Sequence, residues 1–311
     1  MKILVTGGAG FIGSQIVDAY VEQGHQVSII DNLSTGRQWN INPKAKFHHV
    51  DIRDAAQVEQ VFRSEKYDVL NHQAAQIDVR KSVSDPAFDA NVNIIGVINL
   101  LEHAMRTGVR KVIFASSGGA IYGEQDYFPA DEKHPTRPIS PYGIAKLTTE
   151  HYMFYYKAVH GLEFASMRYA NVYGPRQNPE GEAGVVSVFT TRMLKNEQAV
   201  INGEGKQTRD YVFVGDVVKA NVLALQTTGS DYFNIGTGVE TDVNALFRLL
   251  KKLTGTKIEE KHAEAKKGEQ MRSVLTPAKI EKALGWKPGV TLEEGLKHTV
   301  EFFKNDKRHG A

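Results

Sequence analysis

Thr6-Gly7-Gly8-Ala9-Gly10-Phe11-Ile12-Gly13 is the stretch on which the reading of the fold turns. It follows a short apolar run, Lys2–Thr6, and opens a segment long enough for a helix. Two patterns overlap in it. Gly8, Gly10 and Gly13 fit G-x-G-x-x-G, while Gly7, Gly10 and Gly13 fit G-x-x-G-x-x-G. Glycines in such a strand-to-helix turn allow a tight bend, let the backbone approach a pyrophosphate, and let the helix pack on the strand. The start of the helix then offers N–H groups and a positive dipole end to the phosphates. Gly7, Gly10, Phe11, Ile12 and Gly13 are therefore the first candidate contacts of a dinucleotide.

Outward from this turn, short apolar runs alternate with helical-length amphipathic segments. Residues 2–6, 26–31, 46–51, 68–74, 111–116 and 163–169 read as strands of a doubly wound parallel α/β sheet, the Rossmann type. The second strand ends in Asp31-Asn32, 18 residues from Gly13 to the acid. A carboxylate there suits the adenosine ribose hydroxyls and repels a 2′-phosphate, so NAD is favoured over NADP. Asp51-Ile52, ending the third strand, is placed to meet the adenine. After Asn171 the texture changes, with Pro175, Pro179, Gly181 and Gly184 in a long loop. Helices are expected near 187–196, 244–253, 278–284 and 292–303, and strands at 211–214 and 232–235. The expected organisation is a dinucleotide-binding domain over 1–171, with returning segments near 209–236, and a smaller α/β lobe over 172–311.

Bulk properties exclude several classes. The chain has 311 residues, 41% of them hydrophobic, enough for a large core. A net charge of +2 from 38 basic and 36 acidic residues is too balanced for a nucleic-acid binder. The absence of cysteine excludes disulfides, thiol nucleophiles and Cys-bearing zinc sites. No apolar run approaches a membrane span, and glycines by residue 7 come too early for a signal-peptide core. A cytoplasmic location, with neither membrane nor nucleic acid as partner, is the expectation. His48-His49, pointing to opposite faces of a strand, are poor metal ligands, and no metal is expected. His72, ending the fourth strand, reads as a hydrogen-bonded structural histidine.

Tyr142-Gly143-Ile144-Ala145-Lys146, following Pro141, sets a tyrosine and a lysine on one helix face, one turn apart. A phenol titrates near 10 and is a poor base at neutral pH. A neighbouring ammonium and a positive nicotinamide ring would both favour the phenolate. Tyr142 is thus the candidate base, with Lys146 to tune it and hold the nicotinamide ribose.

With these motifs the chain resembles the extended short-chain dehydrogenase/reductases, and within them the UDP-galactose (UDP-glucose) 4-epimerases. Further segments that carry the resemblance are His72-Gln73-Ala74-Ala75, Asn91-Val92-Asn93, residues 116–123 and 168–176, Arg209-Asp210-Tyr211, Asn234-Ile235-Gly236 and Leu284-Gly285-Trp286. The resemblance implies cofactor contacts at Ala74, Ala75 and Asn91, and UDP contacts at Asn171, Arg209 and a basic residue near Lys266. Read from the residues alone, the lesser alternative for Arg209 is an ordinary salt bridge to Asp210 or another acid. The implied reaction is transient oxidation to a 4-keto sugar followed by hydride return to the opposite face.

Three departures from the family pattern stand out. Where the family has Ser or Thr four residues before the tyrosine of its S-S-x-x-x-Y-G segment, this chain has Gly118, and Ser117 is the candidate replacement. A lysine often found after the fourth strand is absent at Ile77. The R-P-G-D/E segment reads Lys266-Lys267-Gly268-Glu269. Aligning this region places Ser273 where relatives carry a residue that walls the sugar site, leaving room for a 2-acetamido group. Gly119 and Ala120 replace the Asp-Glu pair of 4,6-dehydratases. A UDP-glucuronate epimerase or decarboxylase stays open, as does an impaired NAD-binding regulatory protein. A homodimer through the helices from Asn91 to Met105 and from Tyr142 to Tyr156 is expected, since the run 152–156 is aromatic enough to face both a core and a partner.

Overall fold

The computed structural model describes residues 1–179, 184–265 and 270–306. Its strands in chain order are β1 (Lys2–Thr6), β2 (Gln26–Asp31), β3 (Lys46–His49), β4 (Val69–His72), β5 (Lys111–Ser117), β6 (Glu163–Tyr169) and β7 (Asn171–Tyr173). They continue with β8 (Ile201–Asn202), β9 (Thr208–Phe213), β10 (Asp231–Ile235), β11 (Glu240–Asp242), β12 (His262–Ala263) and β13 (Arg272–Ser273). The chain divides into two compact units. One comprises Met1–Gly123, Thr136–Arg168 and Val218–Phe233; the other comprises Glu124–Pro135, Tyr169–Val217 and Asn234–Ala311.

The first unit is built on a parallel sheet in the order β3-β2-β1-β4-β5-β6-β10. β1, β2, β4 and β5 are buried along almost their whole length, as expected where helices cover both faces of a parallel sheet. The order reverses between β1 and β4, which pair side by side from Ile3↔Val69 to Thr6↔His72. At such a switch point the loops after the two strands diverge and leave a crevice at their carboxyl ends. Below it lies a core that includes Leu4, Ile30, Leu70, Leu100, Phe114 and Met153.

Local sequence explains where the crossover helices begin and end. Asp54 caps Ala55–Ser64 by accepting from Gln57 N, and Ser140 caps Pro141–His160 by accepting from Gly143 N at 3.1 Å. Pro141 sits at the first helical position, where its missing N–H is not needed. The expected single helix from Asn91 to Met105 is in two parts, a π-helical turn Asn91–Ile95 continuing into Gly96–Thr107.

The second unit has its own small sheet. β9 is its hub, antiparallel to β11 and parallel to β13 and β7. Its separate core includes Tyr173, Phe189, Ile201, Leu246, Phe247 and Leu296. The strand expected at 211–214 instead runs over Thr208–Phe213, and Val214 opens a helix, Val214–Ala224, that the apolar pattern had hidden. Asp216 in its first turn favours the helix dipole, and its carboxylate accepts from Gly289 N and Val290 N. Helices Val243–Thr254, Ala278–Leu284 and Leu292–Asn305 lie where periodicity puts them, the last closed by a reciprocal Thr291–Glu294 capping box.

Candidate active site

The glycine turn follows β1, and the three-dimensional neighbours separate its two overlapping patterns. Gly7 has φ +70° and a side chain there would sit 2.7 Å from Ala74 N, so turn and neighbouring loop both require glycine. A side chain at Gly13 would overlap Gly7 O and lie 2.8 Å from Gly7 C, so the helix Phe11–Glu22 docks backbone to backbone on the turn. Gly8 faces Ile29 and Val17 and serves core packing. Gly10 differs. A Cβ there would meet Gly7 O tightly, at 3.1 Å, and no other atom within 4 Å, so one side of the backbone at the helix start is uncrowded. No side chain caps that helix. Gly7, Gly10 and Gly13 thus have the forms needed for turn, pyrophosphate approach and helix packing, with Phe11 and Ile12 in the first helical turn.

Asp31 ends β2 and is 7% exposed. Its Oδ2 accepts from Ala9 N at 3.0 Å and its Oδ1 from Leu33 N at 2.8 Å, tying the acid to the glycine turn. Burial pushes its carboxyl up, and the two amide bonds oppose that. The Asp31 carboxylate and the helix start at Gly10, which no side chain caps, fit an NAD ribose and phosphate. Asn32 donates to Asp51 Oδ2 at 2.9 Å. Asp51 is held well below the usual carboxylate range, chiefly by the hydrogen bonds of Arg53. The Ile52 side chain, 5% exposed, packs under Gly96. Ala74 N donates to Thr6 Oγ1 at 3.2 Å and Ala75 follows in the half-buried loop after β4. Asn91 is exposed at the start of the π-helical turn.

Tyr142 and Lys146 project from Pro141–His160 beside the end of β5. Gly143 makes this possible, since a Cβ there would press on Ala120 O at 2.7 Å and Pro138 at 2.9 Å. The helix start is thereby seated against the short helix Gly118–Ile121, whose first flank is Ser117. Ser117 is placed to favour the ionised form of the Tyr142 phenol. Lys146 is 4% exposed; its Nζ donates to Ala115 O at 2.7 Å, and lies 4.8 Å from the Phe114 ring centroid and 5.8 Å from that of Tyr142.

Electrostatics modify the expectation that the lysine brings the phenol into range. Burial pushes Tyr142 up to about 12, only partly offset by Ser117, with Asp89 adding to the rise. Burial also brings Lys146 down to about 8, against the pull of Asp89 and Glu150. Removal from water disfavours both charged forms. His72 is likewise held neutral at about 3 by burial and the lysine charge; its Nδ1 meets Thr6 Oγ1 at 2.6 Å and its ring stacks on Phe114.

In the second unit, the register of the small sheet gathers three candidates of the carboxyl half. Arg209 pairs with Ser273, and Asn171 pairs with Tyr211, two residues along the same strand. Paired residues and residues two apart share a face of a sheet, so Asn171, Arg209 and Ser273 belong to one face. Arg209 Nη1 donates to Thr208 O at 2.8 Å, and Ser273 is 2% exposed. Asp210, on the other face, accepts from Thr237 N and Oγ1, Gly238 N and Leu275 N, a structural use of the acid next to Arg209. Lys266, with the whole segment 266–269, lies outside the described residues.

Sequence reasoning missed the buried polar cluster beside Lys146. Asp89 Oδ1 accepts from Gln76 Nε2 and Asn93 Nδ2, both at 2.9 Å, and Asn93 also bonds Gln76 N and O. The i, i+4 spacing of Asp89 and Asn93 was a visible signal of a shared helix face. Glu150, one turn after Lys146, was missed too. It takes a bidentate pair from Arg168 at 3.0 and 2.7 Å and a hydrogen bond from Ser166 at 2.7 Å.

A switch-point crevice with a glycine turn, a ribose acid and a Tyr-x-x-x-Lys helix defines an NAD-binding α/β enzyme of Rossmann type. Residues 3–236 match the model of the NAD dependent epimerase/dehydratase family, and the chain belongs to that family. It is 50% identical over 306 residues to a putative UDP-glucose 4-epimerase of Methanocaldococcus jannaschii, covering 98% of this chain and 99% of that one. Among solved structures it is similar to the UDP-glucose 4-epimerase of Thermotoga maritima with UDP-glucose, with 50% identity, TM-score 0.96, and 98% and 99% of the two chains covered. It is also similar to the Thermus thermophilus UDP-glucose 4-epimerase complex with NAD, with 43% identity, TM-score 0.94, and coverage of 98% and 100%.

Proposed function

We propose that this chain is an isomerase that inverts C4 of a UDP-hexose, interconverting UDP-glucose and UDP-galactose. The observation that carries the reading is the Tyr142–Lys146 pair on one helix, with Lys146 Nζ 5.8 Å from the Tyr142 ring centroid and donating to Ala115 O on β5, the strand that ends in Ser117. Ser117 offers the hydroxyl missing at Gly118 and favours the Tyr142 phenolate, which argues against an impaired site. Gly119 and Ala120 leave no acid pair for dehydration.

In this reading Gly7, Gly10, Phe11, Ile12 and Gly13 hold the NAD pyrophosphate, and Asp31 with Asn32 holds the adenosine ribose. Asp51, Ile52, Ala74, Ala75 and Asn91 complete the cofactor walls. NAD, once bound, accepts a hydride and returns it, and its positive nicotinamide ring supplies the second charge that a phenol raised by burial needs to ionise. Tyr142 takes the proton of the sugar 4-hydroxyl and gives it back, Ser117 orients that hydroxyl, and Lys146 holds the nicotinamide ribose and favours the phenolate. Asn171, Arg209 and Lys266 grip the UDP diphosphate, for which the planar fork of arginine is suited. A tight grip there and loose contacts at the sugar let the 4-keto sugar turn over before reduction. Ser273, small where a wall residue is expected, admits the N-acetyl forms.

The proposal extends to a homodimer. Ile95, Phe154, Tyr155 and Val159 are 49%, 60%, 47% and 60% exposed on the two helices expected to pair, a large apolar surface for a monomer to leave in water. A cytoplasmic location and a part in galactose metabolism follow from the substrate assignment. Incubation of purified protein with UDP- and dTDP-sugars, without added NAD, tests the activity. NMR should show UDP-galactose and UDP-glucose converging on one mixture from either side, and recovery of every sugar unchanged would refute it.

A further inference from the structure

We infer that Tyr122 is a positioning residue of the Tyr142–Lys146 site, whose hydroxyl, through Arg168, ties the turn that follows Ser117 to the helix that carries Tyr142 and Lys146. The inference deepens the proposed function and rests on its assignment of Ser117, Tyr142 and Lys146. Ser117 ends β5 and flanks the short helix Gly118–Ile121, which Tyr122 follows directly. Tyr142 and Lys146 stand on a separate helix, Pro141–His160. Packing, not backbone connection, therefore decides how Ser117 lies against the other two.

Two contacts hold the segments together. Near Tyr142 the helix start closes on Ala120, because Gly143 has no Cβ to press on Ala120 O. That is a packing contact without a set direction. One turn beyond Lys146 the hold is directional. Glu150, 2% exposed, accepts from the Arg168 guanidinium of β6, from Nε at 3.0 Å and Nη2 at 2.7 Å. The other terminal nitrogen, Nη1, donates to the Tyr122 hydroxyl at 2.9 Å. The planar fork of arginine permits this, since its donors leave in fixed directions and one guanidinium can serve two partners. Its central carbon also lies 5.4 Å from the Tyr122 ring centroid and 4.8 Å from that of Tyr232 on β10. Helix, strand and turn meet at one buried charge.

Tyr122 has little freedom of its own. It is buried, and the chain leaves it through Gly123, with φ +66°, where a Cβ would overlap Arg137 O. Only glycine makes that turn without strain. The phenol therefore cannot shift unless the whole turn shifts, and the bond from Arg168 sets where the turn stands against the helix. Any acceptor would satisfy Nη1 of a buried guanidinium. What Tyr122 adds is an acceptor on the segment that leads straight back to Ser117.

The experiment compares Tyr122→Phe with Ser166→Ala. Phenylalanine keeps the ring and removes the hydroxyl. Ser166 Oγ donates to the same Glu150 at 2.7 Å, so alanine there weakens the same buried cluster but leaves the tie from Arg168 to Tyr122 whole. Amide exchange of the cofactor-free proteins, read by mass spectrometry over residues 117–122, should quicken roughly tenfold or more in Tyr122→Phe, as loss of a hydrogen bond to a charged group implies. Ser166→Ala should leave that segment as in wild type. With UDP-galactose, kcat of Tyr122→Phe should fall roughly 10- to 100-fold, the order that a displacement of about 1 Å costs, with KM little changed. Ser166→Ala should keep both constants within about twofold of wild type, a split that a role in stability alone does not produce. Exchange over 117–122 no faster in Tyr122→Phe than in Ser166→Ala overturns the inference, as does a kcat within about twofold of Ser166→Ala. If Tyr122→Phe does not fold, Arg168→Lys takes its place, since lysine keeps a charge against Glu150 but has no fork to reach Tyr122 as well. The same losses are expected in it, and wild-type exchange or kcat overturns the inference. A wild type that turns over no UDP-sugar is instead a failure of the functional reading, and exchange over 117–122 then decides the inference alone.

Discussion

Replacing Gly10 and Gly13 separately by alanine should give opposite phenotypes although the two residues share one motif. At Gly10 the backbone is extended, φ −82° and ψ −177°, which alanine adopts readily, and the new methyl meets one atom, Gly7 O at 3.1 Å, which must give by a few tenths of an ångström. Losing glycine from this helix cap costs a few tenths to about 1 kcal/mol, and the stiffer unfolded chain returns about 0.4–1 kcal/mol. The stability of NAD-free Gly10→Ala should therefore stay within about 1 kcal/mol of wild type. Its methyl would nonetheless stand over the helix start, where a phosphate must approach. Loss of one charge-assisted hydrogen bond is worth about 1.5–3 kcal/mol, or roughly 10- to 150-fold in affinity. Gly13→Ala instead drives a Cβ into Gly7 O and against Gly7 C at 2.8 Å. The clash is with backbone, which no side-chain rotation relieves, so the variant should lose about 1–3 kcal/mol or more. Urea unfolding of cofactor-free protein and calorimetric titration with NAD measure the two effects. NAD affinity of Gly10→Ala within a factor of two of wild type, or a Gly13→Ala protein as stable as wild type, would refute the division of roles.

Tyr142→Phe should lower turnover by about 10²–10⁴-fold while leaving UDP-sugar binding nearly unchanged; kinetics within a factor of two of wild type would remove the tyrosine from the chemistry. Glu150→Gln leaves the Arg168 guanidinium, 5% exposed, without its carboxylate, and should destabilise the protein by about 3–5 kcal/mol in denaturant titration. Unaltered stability would show that the pair is replaceable. In cofactor-free protein the Lys146 group titrates near 8 when folded, below its ordinary 10.5, because of burial. Between those values the unfolded chain binds the extra proton, so this group's contribution to stability rises with pH and is flat below about 8. Denaturant titrations from pH 7 to 10.5 in wild type and Lys146→Met should differ in slope over that window, and parallel curves would contradict it.

Much of the site was legible because its motifs are local. A turn between a strand and a helix, an acid at the next strand end and a tyrosine four before a lysine are set by backbone periodicity, which residue order carries directly. The strands of the first sheet were legible for the same reason, since burial on both faces demands unbroken apolar runs such as 2–6 and 26–31. Ser117 was legible as the nearest hydroxyl to Gly118, but its place beside the helix of Tyr142 depends on Gly143, which lets that helix close on Ala120.

Other features depended on chain segments far apart in sequence. Both glycine patterns satisfied the motif, and only the neighbours of each Cα, among them Ala74 from the loop after β4, separated Gly7, Gly10 and Gly13 from Gly8. The strands β7, β11 and β13 are each three residues or fewer, too short for a periodicity to declare itself, and they exist because β9 pairs with them. That pairing put Arg209 beside Ser273. The charge state of the pocket was likewise a property of the packed structure. The sequence by itself determined which groups could do the chemistry, because side-chain type and local spacing are written in residue order. Burial, counter-charge and strand register decided how those groups stand, because each is set by atoms that only folding brings together.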